Sequence, residues 1–129
     1  MPELSPVVLT FVAEHLRTLE ELQLLMTCIQ AGDRWWDATS VARELGFSPA
    51  VARRTLDHLA SRNLFDIRIT GDVRYQFRPG TPALQDAAQA TAEAYRTNPV
   101  AVIRLVSDTT RRSIRDFADA FRIRKDDDR

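Results

Sequence analysis

The chain has 129 residues, of which 44% are hydrophobic and 28% are charged, as is typical of one globular domain with its own core. Its formal net charge of zero argues against a protein that coats nucleic acid through bulk charge. The single cysteine, Cys28, excludes an internal disulfide framework and suits a reducing compartment. No apolar run approaches the ~20 residues of a membrane span, and the N-terminus lacks the basic region of a signal peptide, so we expect a cytoplasmic protein.

Charge is unevenly distributed along the chain. Residues 1–47 contain three Arg and seven Asp or Glu, a net charge of −4. Residues 48–80 contain six Arg and three Asp, a net charge of +3. The middle third is therefore the only clearly basic part of the chain.

Two helices are predicted in the first quarter of the chain. A Ser-Pro pair is a typical helix start and opens the first, over 5–17. Its apolar face comprises Val8, Phe11, Val12 and Leu16. Thr18 and Glu21 have the spacing of a capping box, which predicts a second helix over 19–31, ended by Gly32. Its apolar stripe comprises Leu22, Leu25, Met26 and Ile29.

A tryptophan pair precedes two further predicted helices. We expect one of Trp35 and Trp36 in the core and the other half exposed. Thr39 or Ser40 is expected to cap a short helix that ends at Leu45, with a glycine after it. A second Ser-Pro pair then opens a helix that runs to about residue 62, with an asparagine able to take the left-handed terminal position. Its buried face comprises Ala52, Leu56 and Leu59.

Residues 64–78 are predicted to form a β-hairpin with its turn around Gly71. Alternating apolar residues occupy one side of each strand. A two-residue turn would place the two apolar sets on opposite faces, so a common core requires an odd loop. We therefore predict Ile69 opposite Val73, with Thr70-Gly71-Asp72 at the tip, or a bulge that has the same effect on the register.

The C-terminal third is predicted to be helical, with one ambiguity. A helix begins at about residue 82 and is broken by an Asn-Pro pair. Its inner side comprises Leu84, Ala87, Ala88, Thr91 and Tyr95. Residues 100–106 are apolar nearly all round and fit either a buried helix or a strand. An amphipathic helix is expected at about 111–124, followed by a frayed tail at 125–129.

The order of elements and one motif carry a family resemblance. Residues 19–79 resemble the winged helix-turn-helix fold, and the stretch 39–65 is similar to the core of MarR-type bacterial regulators. In that family the third helix begins with Ser-Pro and carries an Arg followed by Leu-Leu-Asp. The positions that match are Ser48, Pro49, Arg54, Leu56 and Asp57, with Thr55 in place of one Leu. Asp72-Val73-Arg74 also matches the Asp-x-Arg of the family's wing.

The outer segments add a second resemblance. Residues 19–25, followed by the Arg-Trp-Trp at 34–36, and residues 115–122 are similar to small bacterial winged-helix proteins of unassigned role. The expected architecture is a mainly α fold with a small β-hairpin wing, a single domain over 1–129. A winged helix-turn-helix core at 19–79 is flanked by N- and C-terminal helices at 5–17 and 81–124, which the resemblance implies as dimerisation elements.

The resemblance implies a DNA-binding transcriptional regulator that acts as a homodimer on double-stranded DNA. The third helix would enter the major groove, and arginines of the hairpin would hold the backbone. The candidate DNA-binding residues are Ser48, Ala50, Val51, Arg53, Arg54, Asp57, Arg68 and Arg74.

One alternative remains open: a winged-helix module that binds another protein and not DNA. It is motivated by the neutral charge, the short wing and the apolar start, Ala50-Val51-Ala52, of the third helix. No nucleophile–base pair, phosphate-binding glycine loop or metal-ligand cluster is visible in the sequence. We therefore expect no enzymatic activity, no metal and no cofactor.

Overall fold

A computed structural model describes residues 4–109 of the chain. Within them the chain is mainly helical and carries one small antiparallel sheet, as the sequence predicts. The first half contains α1 (Pro6–His15), α2 (Leu19–Ala31), β1 (Trp35–Trp36) and α3 (Ala38–Leu45). The second half contains α4 (Pro49–Ser61), β2 (Phe65–Thr70), β3 (Asp72–Phe77), α5 (Pro82–Thr97) and a sixth helix, α6, at 99–109.

Hydroxyl side chains begin four of the helices at the predicted places. Ser5, Thr18, Ser48 and Thr81 each accept a hydrogen bond from the backbone N–H three residues on. These bonds satisfy amides that have no partner inside the helix.

The predicted start of α3 is wrong by about two residues. Asp37, rather than Thr39 or Ser40, is the N-cap, and its carboxylate accepts from the Ser40 backbone N–H at 2.7 Å. The Ser40 hydroxyl accepts in return from the Asp37 backbone N–H at 3.1 Å, which completes a capping box.

The hairpin register is the predicted one. Ile69 lies opposite Val73, and Thr70 lies opposite Asp72, so that Gly71 alone forms the tip. Gly71 has φ +90°, a conformation in which a residue with a Cβ atom is strained. The sheet has a third strand that the sequence did not indicate: β1 pairs with β3 and places Trp36 beside Tyr75 on the inner face.

The core combines the predicted faces of the helices with the inner face of the sheet. Its largest fully buried side chains include Trp36, Tyr75, Phe11, Leu16, Leu24 and Leu56. Trp36 is buried and Trp35 is half-buried, as expected for the pair. The hairpin extends past the core, since only Phe65 of the inner β2 residues is buried. Ile67 and Ile69 lie on the same face but are 44% and 74% exposed.

The segment 100–106, for which a helix and a strand were both possible, is helical as part of α6. Val102 and Val106 are fully buried there, one helical turn apart. The helix predicted at 111–124 and the tail predicted at 125–129 lie outside the described residues. Among residues 4–109, no helix has the length and apolar character required to cross a membrane.

Candidate nucleic-acid interface

The turn between α3 and α4 sets the direction in which α4 leaves the body. Gly46 ends α3 in the left-handed conformation, with φ 72° and ψ 26°. The backbone N–H groups of Gly46 and Phe47 both donate to the Ala42 carbonyl, at 2.9 and 3.1 Å. This hydrogen-bonded end fixes a tight change of direction. The N-terminus of α4 follows two residues later and lies at the surface, because Ser48, Pro49 and Ala50 are exposed.

α4 has two faces with opposite character. Ala52, Leu56 and Leu59 are fully buried, as predicted, and attach the helix to the core. The opposite strip contains Ala50, Arg53, Arg54 and Asp57, all exposed, and Val51 at its edge is half-buried. The Ser48 hydroxyl accepts a hydrogen bond from the Val51 backbone N–H at 3.2 Å, and Ser48 is therefore the N-cap of α4. Five of the eight candidate residues therefore lie on the accessible side of one helix, and Ser48 precedes them.

The two arginines of this strip differ in their surroundings. Arg54 is exposed and makes no ion pair with any other described residue. Arg53 Nε lies 3.6 Å from Asp57 Oδ2, an exposed pair one helical turn apart. Such pairs contribute only about 0–1 kcal/mol to stability, so that a phosphate or a base can replace Asp57 as the partner of Arg53.

Asp57 also connects α4 to the sheet. The Tyr75 hydroxyl donates to Asp57 Oδ1, although Tyr75 itself is buried in the core. Burial, followed by the hydrogen bond to Asp57, raises the pKa of Tyr75 to about 12. The hydroxyl therefore remains a protonated donor across the physiological range, and it holds one carboxylate oxygen in a fixed position.

The outer face of the sheet carries the remaining candidate arginines, and each has an intramolecular partner. The Arg68 guanidinium lies 4.7 Å from the centre of the Trp35 ring. Arg74 Nε lies 3.2 Å from Asp72 Oδ2. Arg78, on the same face, lies 4.0 Å from Asp66. Two of these three arginines have a carboxylate neighbour, which offsets most of the positive charge of this face and weakens its attraction for a polyanion.

A buried ion pair near α4 was not predicted from the sequence. Glu21 is only 3% exposed and accepts from Arg62 Nη1 at 2.5 Å and from the Arg17 backbone N–H at 2.9 Å. Arg62 also donates to the His15 carbonyl at 2.7 Å. The predicted capping box at the start of α2 is thus half formed: Thr18 accepts from Glu21, but the Glu21 carboxylate bonds elsewhere.

This ion pair lies beside a cleft between the start of α2 and the exposed side of α4. The cleft has a volume of about 620 Å³, and its lining includes Glu20, Arg54 and His58. His58 Nδ1 lies 3.5 Å from Glu21 Oε2. The Glu21–Arg62 pair joins the end of α1, the start of α2 and the end of α4, and so fixes the position of α4 on the body.

Cys28 is buried on α2, and its burial raises the thiol pKa to about 12. A thiol with that pKa carries little of the reactive thiolate at neutral pH. Among residues 4–109, no three His, Cys, Asp or Glu side chains are grouped closely enough to hold a metal ion.

Comparison with protein-family models, with curated proteins and with solved structures found no significant match for this chain. Any assignment of function therefore depends on the geometry of the chain itself.

Proposed function

We propose that this protein is a DNA-binding transcriptional regulator of the winged-helix class, without enzymatic activity. In this proposal α4 enters the major groove of double-stranded DNA, and the β2–β3 hairpin lies beside it as the wing. The observation that carries the proposal is the exposed strip of α4, where Arg53 and Arg54 follow a surface N-terminus and a tight left-handed turn.

The dimensions and the chemistry of α4 suit this role. A helix of 13 residues is about 20 Å long, and the major groove, about 12 Å wide, admits one α-helix. Arginine binds phosphate and the groove edge of guanine through paired N–H donors. The partial positive charge at the N-terminus of the helix also favours a nearby anion.

The proposed functional unit is a homodimer assembled through the flanking helices. Within the described part of these helices, residues 5–17 and 81–109, three large apolar side chains are exposed: Val7 and Leu9 on α1 and Val100 on α6. A two-fold dimer of this class would present its two copies of α4 about 34–36 Å apart, one turn of B-DNA.

Duplex binding tests this proposal directly. We expect the wild type to bind a labelled random-sequence duplex in low salt, and Arg53→Ala/Arg54→Ala to bind it at least tenfold more weakly, because two cations of the interface are lost. The matched control is Arg96→Ala/Arg104→Ala, which removes two exposed arginines from α5 and α6, and sedimentation establishes that this variant has the oligomeric state of the wild type. Equal affinity of the wild type and the α4 variant would end the proposal.

A second candidate function, a protein-interaction module, is favoured by the apolar tip of the hairpin. Ile67 and Ile69 are exposed on one face, and the neighbouring arginines of the outer face are already partnered. Exposed apolar patches of this kind mark protein interfaces. The discriminating measurement is a pull-down from cell extract with the wild type and with Ile67→Ser/Ile69→Ser. A protein that the wild type retains and the variant loses, together with no duplex binding by the wild type, would favour the interaction module.

A further inference from the structure

Asp57 is the one acidic side chain in the exposed strip of α4, between the two arginines and the sheet. A carboxylate in a surface that meets DNA repels phosphates, so that its presence there calls for a physical reason. Its side chain is about half exposed, and it is held from beneath by the hydroxyl of the buried Tyr75.

The two oxygens of this carboxylate have different surroundings. Oδ1 accepts the hydrogen bond from Tyr75, which fixes the orientation of the group. Oδ2 faces the Arg53 guanidinium at 3.6 Å, longer than a hydrogen bond, and retains its capacity to accept. Asp57 therefore presents a fixed acceptor, with a cation one helical turn away.

In the major groove, cytosine has the edge that best suits the Asp57 carboxylate, and guanine has the edge that suits the Arg53 guanidinium. Cytosine presents the N4 amino donor, and its partner guanine presents the O6 and N7 acceptors. Thymine and guanine edges offer a carboxylate no donor, and adenine places an acceptor beside its amino group. The carboxylate matches the cytosine, and the adjacent guanidinium matches a guanine.

We propose that Asp57 is a specificity-determining residue of the DNA interface, whose carboxylate accepts from a cytosine amino group while Arg53 bonds to a neighbouring guanine. Tyr75 is the positioning residue that holds this carboxylate. The inference rests on the proposed function and adds to it the base pair that α4 reads. It also explains why a carboxylate lies in this strip: it disfavours every duplex that lacks a cytosine at that point.

Binding and sequence selection by three variants test this role. In Asp57→Asn the repulsion is lost and the side chain can both donate and accept. We expect its affinity for a random duplex to rise, and its preference for the cytosine position, measured by enrichment from a random duplex pool, to fall about fivefold or more, since a good base contact discriminates by about this factor or above. Tyr75→Phe keeps the charge but releases the carboxylate, and we expect it to lose part of the same preference.

Asp66→Asn is the matched control, because it removes an equally exposed carboxylate that pairs with Arg78 on the outer face of the sheet. It should enrich the same sequences as the wild type. Thermal melting of all variants establishes that each is folded, and Tyr75→Phe gives a second result if Asp57→Asn does not fold. A wild type that binds duplex while Asp57→Asn enriches the same motif overturns this inference alone. If neither the wild type nor Asp57→Asn binds duplex, the proposed function is wrong as well.

Discussion

At the scale of single residues, the buried Glu21–Arg62 ion pair holds the end of α4 on the body. Both charges are largely removed from water, and the carboxylate is satisfied by a backbone N–H as well as by the guanidinium. Replacing one partner of a buried ion pair leaves the other charge uncompensated. This loss destabilises the fold more than replacing both partners by apolar residues.

We therefore expect Glu21→Gln to lower the free energy of unfolding by about 3 kcal/mol. Urea denaturation of the wild type and the variant measures this loss. The control is Glu93→Gln, which breaks the exposed pair with Arg96 on α5 and should leave the denaturation midpoint unchanged. Equal midpoints for the wild type and Glu21→Gln would contradict the assigned role.

Asp37 provides a prediction that depends on pH. The hydrogen bond from the Ser40 backbone N–H, followed by the side-chain bond with Ser40, lowers the pKa of Asp37 below its usual 3.8. A carboxyl with a lowered pKa stabilises the fold above its usual pKa and loses that contribution as the pH falls through its folded value.

We expect Asp37→Ala to cost about 1 kcal/mol of stability at neutral pH, the usual loss for an N-cap, and less in acid. Asp37→Asn keeps a capping acceptor without the charge, so its loss should be smaller than that of Asp37→Ala at neutral pH, and both losses should shrink in acid by the same amount, because neither variant has the titrating carboxyl. The measurement is the unfolding free energy of both variants between neutral pH and pH values below 3.8. A loss in Asp37→Ala that stays constant over that range would refute the link to the carboxylate.

At the scale of elements, the sequence predicts those features that depend on local pattern. The hairpin register follows from period-two alternation, and the Ser and Thr caps of α1, α2, α4 and α5 follow from residue type. β1 was not predicted, because two adjacent tryptophans have no period and pair only with a strand about 40 residues away. The start of α3 was misplaced because three capping residues follow one another closely: Asp37, Thr39 and Ser40.

Features that depend on the extent of the hydrophobic core, or on contacts between residues distant in sequence, could not be predicted. Alternation places Ile67 and Ile69 on the inner face of the hairpin, but it does not reveal that the core ends before them. The Glu21–Arg62 pair joins residues 41 positions apart, and no local signal distinguishes it from a capping box. For the candidate site, the sequence identified the exposed strip of α4 but not the partners of its charges.

The turn that directs α4 gives a further prediction at this scale. Gly46 has φ 72°, and a Cβ atom there would meet nothing within 4 Å, so that only backbone strain opposes a side chain. We expect Gly46→Ala to destabilise the protein by about 1 kcal/mol, measured by thermal unfolding. Gly46→Asn is the control, because asparagine tolerates the left-handed region and should cost less. Equal losses of stability in the two variants would contradict the role assigned here to backbone strain at Gly46.

At the scale of the whole molecule, the balance of charges determines the properties expected of the proposed DNA complex. The middle third is basic, but Arg53, Arg74 and Arg78 have carboxylate neighbours on the surface, and Arg54 makes no ion pair with a described residue. The proposed complex therefore forms by exchange of partners, in which phosphates and bases displace weak surface pairs. Binding of this type is expected to be moderate in affinity and to weaken steeply as salt is added.

The salt dependence of duplex affinity tests the central claim most directly, because it counts the phosphates that the protein neutralises. We predict that the logarithm of the association constant falls linearly with the logarithm of the salt concentration. The slope should be smaller in magnitude by about one in Arg53→Ala/Arg54→Ala, because Arg54 meets a phosphate while Arg53 bonds to a base, and it should be unchanged in Arg96→Ala/Arg104→Ala. An identical slope in the wild type and the α4 variant would show that Arg54 does not meet the DNA backbone, and would contradict the proposal that α4 is the binding surface.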